Sequence, residues 1–349
     1  MAQRVVLHIG TMKSGTSYVQ GQLFAQRRHL AHRGVLVPGA SRSHQIEALQ
    51  QGRAKRRDRS TWTAMAAKIR AHPGDVVLSH ELLGAGGAKV LRNLLPDLEP
   101  AVVDVVITVR DLNRTLVSMW QETIQNGRTW TWDSYYASAR DAAPYARTSA
   151  VDRDSAGGRF WKQQDVVRIA EMWANRLGPE RIAVIAVPPR SADRTLLPAR
   201  FVEATGIPLD PAAPSPRSNE SLGLASVLAL REVNELLEAL GHPWPSGVQL
   251  RKRLLAKTVL AARADQEPRL ALDPPDWVRE QTKATVEGLK ATGVRYVGNW
   301  SDLDPIAVPG IRPEDADPRL VSSAAIAGLA GVIAAQIEKE PPDQALARM

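Results

Sequence analysis

Eight residues near the amino end, Gly10-Thr11-Met12-Lys13-Ser14-Gly15-Thr16-Ser17, bring two glycines, one lysine and several hydroxyls into one short run. Glycine lets a backbone approach a ligand closely and take angles denied to other residues. Exposed N–H groups at the start of a helix attract an anion, and hydroxyls add hydrogen bonds. The ATP-type loop reads G-x-x-x-x-G-K-[ST]. Gly10 and Gly15 keep that spacing, but Thr16 stands where the lysine belongs, and the lysine comes early, at Lys13. The run therefore predicts a loop for a phosphate-like anion with its cation placed differently. A solvated Gly/Ser/Thr turn is the bland alternative. The strand-like run at 5–9 and the helical pattern after Gly15 favour the anion loop.

A second run, Ile107-Thr108-Val109-Arg110-Asp111-Leu112-Asn113-Arg114-Thr115-Leu116-Val117-Ser118, sets an arginine at the end of a β-branched stretch. A charge at the end of a buried strand is costly unless it meets a partner. An arginine fork with a hydroxyl from the next helix makes a phosphate clamp, so Arg110 and Ser118 are candidates, with Arg114 as an auxiliary. An ion pair between Arg110 and Asp111 or a neighbour, with Ser118 as an ordinary helix residue, is the alternative. A third polar cluster, Ser79-His80-Glu81, closes the apolar run at 75–79. His80 and Glu81 are rival candidates for a general base, or act together with one orienting the other; such a base works best near neutral pH. Side chains alternate along a strand, so continued extended geometry would let only one of them face a cleft.

The run LHIGTMKSGTSYVQ resembles the 5′-phosphosulfate loop of sulfotransferases that use 3′-phosphoadenosine 5′-phosphosulfate (PAPS). In that family the lysine precedes the second glycine, as Lys13 does here. The resemblance implies a P-loop NTPase-like sulfotransferase fold, with Lys13 on the bridging and sulfuryl oxygens. Ser14, Gly15, Thr16 and Ser17 would then hold the 5′-phosphate, and Arg110 and Ser118 the 3′-phosphate. It also implies a histidine or glutamate base after an equivalent strand, here His80 or Glu81. PAPS would be co-substrate and adenosine 3′,5′-bisphosphate (PAP) product, with no metal required. The acceptor would be a hydroxyl of a small molecule or glycan, with an amine as the lesser alternative. Further stretches are similar to a bacterial branch of the family: Trp120-Gln121-Glu122, Val187-Pro188-Pro189, Arg217-Ser218-Asn219-Glu220-Ser221-Leu222 and Val297-Gly298-Asn299-Trp300-Ser301-Asp302-Leu303. The Arg-Lys-Gly run that many cytosolic members carry is absent, since Arg251-Lys252-Arg253 lacks the glycine. Arg217 and Asn219 cover the cofactor pocket, or else Ser218 or Asn219 caps the helix that follows.

These residues need a scaffold that gathers strand ends. Short apolar runs at 5–9, 35–37, 75–79, 102–109 and 181–187 alternate with helical patterns at 15–30, 61–72, 88–95 and 112–125. That alternation predicts a three-layer α/β sandwich around a central parallel sheet, in which ligands sit beyond the carboxyl ends of the strands. From about Pro208 the chain reads as mainly helical. The expected organisation is one catalytic domain over 1–303, with a sheet core at 1–207 and helical cover at 208–303. A loosely attached tail with a short helix follows at 304–349. The uncharged stretch 322–336 falls short of the ~20 apolar residues that span a bilayer, so no integral membrane association is expected.

Lys and Arg total 45 and Asp and Glu 37, a formal net charge of +8 over 349 residues. Hydrophobic residues make up 44% and charged residues 23%, which excludes a largely disordered chain. The absence of cysteine excludes disulfides and thiolate chemistry, and fits a cytoplasmic setting. The basic balance suits a polyanionic donor. No nucleic-acid recognition motif accompanies it. The basic run from Arg53 to Arg59 reads as a solvated loop or as a steering patch for an anionic acceptor. Trp62, Trp120, Trp130 and Trp132 are candidates for an acceptor wall. A P-loop nucleotide kinase or nucleotide-binding protein is the rival assignment. The displaced lysine and the lack of an acidic magnesium partner after a strand speak against it.

Overall fold

Six strands form one parallel sheet: β1 (Arg4–His8), β2 (Val35–Leu36), β3 (Asp75–Ser79), β4 (Val102–Val109), β5 (Ile182–Ala186) and β6 (Arg295–Val297). Their spatial order is β2-β3-β1-β4-β5-β6. The computed structural model describes residues 2–53, 58–144, 152–214 and 221–338. Arg217, Asn219 and residues 54–57 of the basic run lie outside them.

The strands are apolar on both faces, as a covered parallel sheet requires. Val5, Leu7, Val76, Leu78, Val105, Ile107, Ile182 and Val184 point to one side. There they meet α4 (Ser60–Ala71), α6 (Ala88–Leu94) and α10 (Val166–Leu177). Val6, Val77, Val106, Ala183 and Ile185 point to the other side. Their neighbours come from α1 (Thr16–Ala25), α2 (Arg27–His32) and α11 (Leu196–Thr205). The remaining helices near the sheet are α3 (Arg42–Arg53), the single turn α5 (Leu82–Ala85), α9 (Ala156–Gln164) and α13 (Asp276–Ala291). Helix α7 (Leu112–Gln125) follows β4, and α8 (Trp132–Asp141) comes next.

The chain divides into two units. The first comprises residues 1–115, 139–218 and 275–305 and holds the whole sheet. The second comprises residues 116–138, 219–274 and 306–349 and is mainly helical. In it α12 (Leu224–Ala239), a π-helix (Gln249–Leu260) and α14 (Pro318–Ile337) pack together.

Three expectations change. The sheet takes its last strand from beyond residue 207, where the sequence predicts helical cover. Arg295–Val297 is too short for its period-2 pattern to stand out beside the amphipathic helix before it. The tail carries a helix of 20 residues, not a short one. That helix is tied to its unit through its glycines: a β-carbon on Gly328 would lie 2.8 Å from Leu255, and one on Gly331 2.5 Å from Val259. By length and composition α14 is able to cross a membrane, and 11% of its apolar window is buried. Finally, the single helix expected at 15–30 is two, broken at Gln26. That side chain donates to Asp210 O at 3.0 Å and accepts from Asp210 N–H at 2.8 Å.

Candidate functional site

The glycine loop leaves β1 at its carboxyl end and stays stitched to β4. Ile9 N–H donates to Val106 O at 2.9 Å, and Thr11 N–H to Thr108 O at 2.8 Å. Three residues of the loop have positive φ: Gly10 at 27°, Lys13 at 63° and Gly15 at 77°. Among the described residues Lys13 is the only non-glycine with such a backbone. Left-handed conformations cost a residue with a side chain roughly 1–2 kcal/mol, and such strain concentrates at functional sites. Gly10 is needed for space as well. A β-carbon there would stand 2.5 Å from Thr16 Oγ1 and 2.7 Å from Thr108 Oγ1.

The hydroxyls of the loop face inward. Ser14 Oγ donates to Thr11 O at 2.6 Å, and Thr16 Oγ1 donates to the same carbonyl at 3.4 Å. What Ser14 and Thr16 offer an anion is therefore their backbone N–H. Among the described residues the N–H groups from Ser14 to Ser17 reach no backbone carbonyl outside helix α1, and the first N–H groups of a helix have no partner within it. Ser17 is exposed, and its hydroxyl accepts from Arg42 Nη2 at 2.9 Å.

A buried polar chain lies under the loop. His8, Ser79 and Thr108 stand at the ends of β1, β3 and β4. His8 Nδ1 is 2.8 Å from Ser79 Oγ, and Nε2 is 3.3 Å from Thr108 Oγ1. Thr108 Oγ1 is 2.8 Å from Ser14 Oγ. One direction satisfies every atom: Ser79 O–H to Nδ1, Nε2–H to Thr108, Thr108 O–H to Ser14, Ser14 O–H to Thr11 O. This requires a neutral imidazole protonated on Nε2. Burial agrees, lowering the His8 pKa to about 4 against a weaker opposing pull from Glu81.

His80 and Glu81 come next to the loop, since His80 N–H donates to His8 O at 2.9 Å. The alternation argument does not apply to them. Strand β3 ends at Ser79, and Glu81 has helical angles, φ −60° and ψ −28°, at the start of α5. The turn brings both side chains together, with Nδ1 of His80 3.7 Å from Oε2 of Glu81, an ion-pair distance beyond a hydrogen bond. His80 is 3% exposed, and neither ring nitrogen has a hydrogen-bond partner among the described residues. Burial pushes the Glu81 carboxyl up, but His80, its own backbone N–H and Arg42 outweigh that and hold its pKa at about 2. Gln20 Nε2 adds a 3.4 Å contact to Oε2.

Arg110 follows β4. Its Nη2 donates to Arg114 O at 2.8 Å, and its Nε to Thr115 Oγ1 at 3.4 Å. Asp111 gives its carboxylate to the Arg114 side chain and N–H. Burial lowers the Arg110 pKa to about 10. Asp111 raises it, while the positive charges of Arg114 and Arg190 lower it further. Three guanidiniums thus act on one another at the ends of β4 and β5. Ser118 lies farther along α7, in the second unit.

The structure brings Lys13 to Ser17, His80, Glu81 and Arg110 to the ends of three neighbouring strands, β3, β1 and β4. It adds Arg42, Arg190 and the His8 chain, which the motif reading missed. His8 and Thr108 carry a readable signal, a polar residue inside an otherwise apolar strand run. Arg42 carries none, because α3 reaches the loop only through the tertiary fold. Gln164 also joins, with Nε2 donating to Met12 O at 3.0 Å.

Other candidates have structural work. Arg59 Nη2 and Trp62 Nε1 both donate to Asp97 Oδ2 at 2.7 Å. Trp62, Trp120 and Trp132 are buried, the latter two edge to face at 5.6 Å. Trp120 Nε1 donates to Trp130 O at 3.0 Å. Trp62, Trp120 and Trp132 fill cores rather than line an acceptor wall. The run at 297–303 anchors β6: Asp302 pairs with buried Arg200 at 2.7 Å, and Arg200 Nη1 donates to Ala186 O at 2.7 Å. Among the described residues no group of three or more His, Cys, Asp or Glu is placed to hold a metal ion.

The fold defines an α/β protein with a central parallel six-stranded sheet flanked by helices. No protein-family model, curated protein or solved structure matches the chain.

Proposed function

We propose that this protein is a sulfotransferase that moves a sulfuryl group from PAPS to a hydroxyl of a small-molecule or glycan acceptor. The observation that carries this reading is Lys13, held in a left-handed backbone between Gly10 and Gly15 at the carboxyl end of a central strand. The strained turn sets a lysine between two glycines, next to a run of N–H groups at a helix start, and that combination suits a phosphosulfate.

In this reading the N–H groups of Ser14 to Ser17 hold the 5′-phosphate. The Lys13 ammonium stabilises charge on the bridging oxygen as its bond to sulfur breaks. Arg110, with the positive charges of Arg114 and Arg190 acting on it, meets the 3′-phosphate. Sulfuryl transfer resembles phosphoryl transfer, where positioning and charge stabilisation supply most of the catalysis. The acceptor oxygen bonds to sulfur, PAP departs, and the acceptor proton passes to a base. A carboxylate with a pKa of about 2 is a poor proton acceptor near neutrality. His80, with ring nitrogens unpartnered among the described residues, is the better base, and Glu81 orients it and balances its charge after proton transfer.

The test is PAP release from PAPS in the presence of phenolic and sugar acceptors. The account expects release with at least one acceptor class and none with Lys13→Ala. Release by Lys13→Ala at the parental rate would overturn the assigned role.

A further inference from the structure

The second unit contains a cavity of about 270 Å³, lined by Val233 and Leu237 of α12, Leu250, Arg251 and Leu255 of the π-helix, and Val332 of α14. His242, Ser246 and Gly247 line it beside Arg251 and make that end polar, while the remaining walls are aliphatic. The π-helix supplies three of the lining residues, and π-helical turns are rare and frequent at functional sites.

Arg251 is out of place in such a wall. It is 6% exposed. Its Nη1 donates to His242 O at 3.1 Å and Ser246 O at 3.4 Å, and its Nη2 to Asn234 Oδ1 at 2.8 Å. Its carbon lies 5.7 Å from the Trp244 ring centre. Every one of these partners is neutral, and Nε has no acceptor among the described residues. Burial lowers its pKa and Glu238 raises it, without an ion pair between them. A buried charge without a counter-charge is costly, and an anion brought into the cavity would supply one.

We propose that this cavity binds a medium-chain aliphatic carboxylate, with its chain among the aliphatic walls and its head group on Arg251. At roughly 30 Å³ for a methylene-sized group, the cavity takes a chain of about eight to ten carbons. Nε is closed off from solvent, so the carboxylate engages the guanidinium by displacing its longest bond, that to Ser246 O. This site stands independently of the sulfuryl-transfer reading.

The test is calorimetric titration of the full chain with sodium octanoate and with 1-octanol. Octanoate should saturate one site and bind roughly tenfold or more tightly than octanol, the worth of one charge-assisted hydrogen bond. Arg251→Met should bring octanoate down to the level of octanol. Because that variant loses four contacts that hold the fold, a second one keeps Arg251: Leu237→Trp, which fills the cavity, should abolish binding of both. Absence of octanoate binding, equal affinity for the two probes in the parent protein, or unchanged octanoate binding in Leu237→Trp would each overturn the proposal.

Discussion

Replacing His8 by glutamine should flatten the acid limb of the stability profile. His8 has an ordinary pKa of 6.5 and a folded value of about 4, because its ring is buried beneath the glycine loop as a neutral donor and acceptor. The unfolded chain therefore binds this proton more readily between pH 6.5 and 4. Stability is full above 6.5 and falls as pH drops through that window. At 1.36 kcal/mol per pKa unit, the loss by pH 4 is about 3 kcal/mol. Glu81 contributes in the next window with a depressed carboxyl: its stabilisation is present above pH 4.5 and is lost toward pH 2. Urea unfolding at pH 7, 6, 5 and 4 separates the two. With an m-value of about 3 kcal/mol/M, the parent midpoint should fall by about 1 M from pH 7 to pH 4. His8→Gln should lose far less over the same range, even if it starts lower. Parallel profiles for the two proteins would show that His8 is not the buried neutral link from Ser79 to Thr108.

Three other perturbations have defined outcomes. His80→Ala should lower turnover by roughly 10²–10⁴-fold while leaving PAP affinity unchanged in calorimetry, whereas Glu81→Gln should lower it less. Arg110→Ala should weaken PAP binding by roughly tenfold or more, with a shallower salt dependence than the parent shows, because a charged contact to phosphate is lost. Asp302→Asn should destabilise the fold by about 3–5 kcal/mol in urea unfolding, since it leaves Arg200 buried without its carboxylate.

The strands that position the site are legible because parallel strands covered on both faces read as unbroken apolar runs. Val102–Val109 and Asp75–Ser79 have the same bounds in the sequence pattern and in the structure. The loop at Gly10 to Ser17 is legible from glycine spacing. Its inward hydroxyls are not, because Ser14 and Thr16 turn toward Thr11 O only once Thr108 lies beside them. The meeting of His80 with Glu81 depends on where β3 stops, a matter of one residue that alternation cannot fix. Arg42 and Arg190 reach the site from α3 and from the segment after β5, so their roles arise from tertiary geometry. The same holds for Arg251, which reads as one charge in a basic run and folds at the polar end of a largely aliphatic cavity.

The central claim is that the loop around Lys13 grips a nucleotide carrying phosphates at both its 3′ and 5′ positions. Calorimetry with PAP in metal-free buffer addresses it most directly. The account predicts saturable binding that weakens by roughly tenfold or more in Lys13→Ala, and no comparable binding of ATP with magnesium. Failure of PAP to bind, or tighter binding of magnesium-ATP than of PAP, would contradict it.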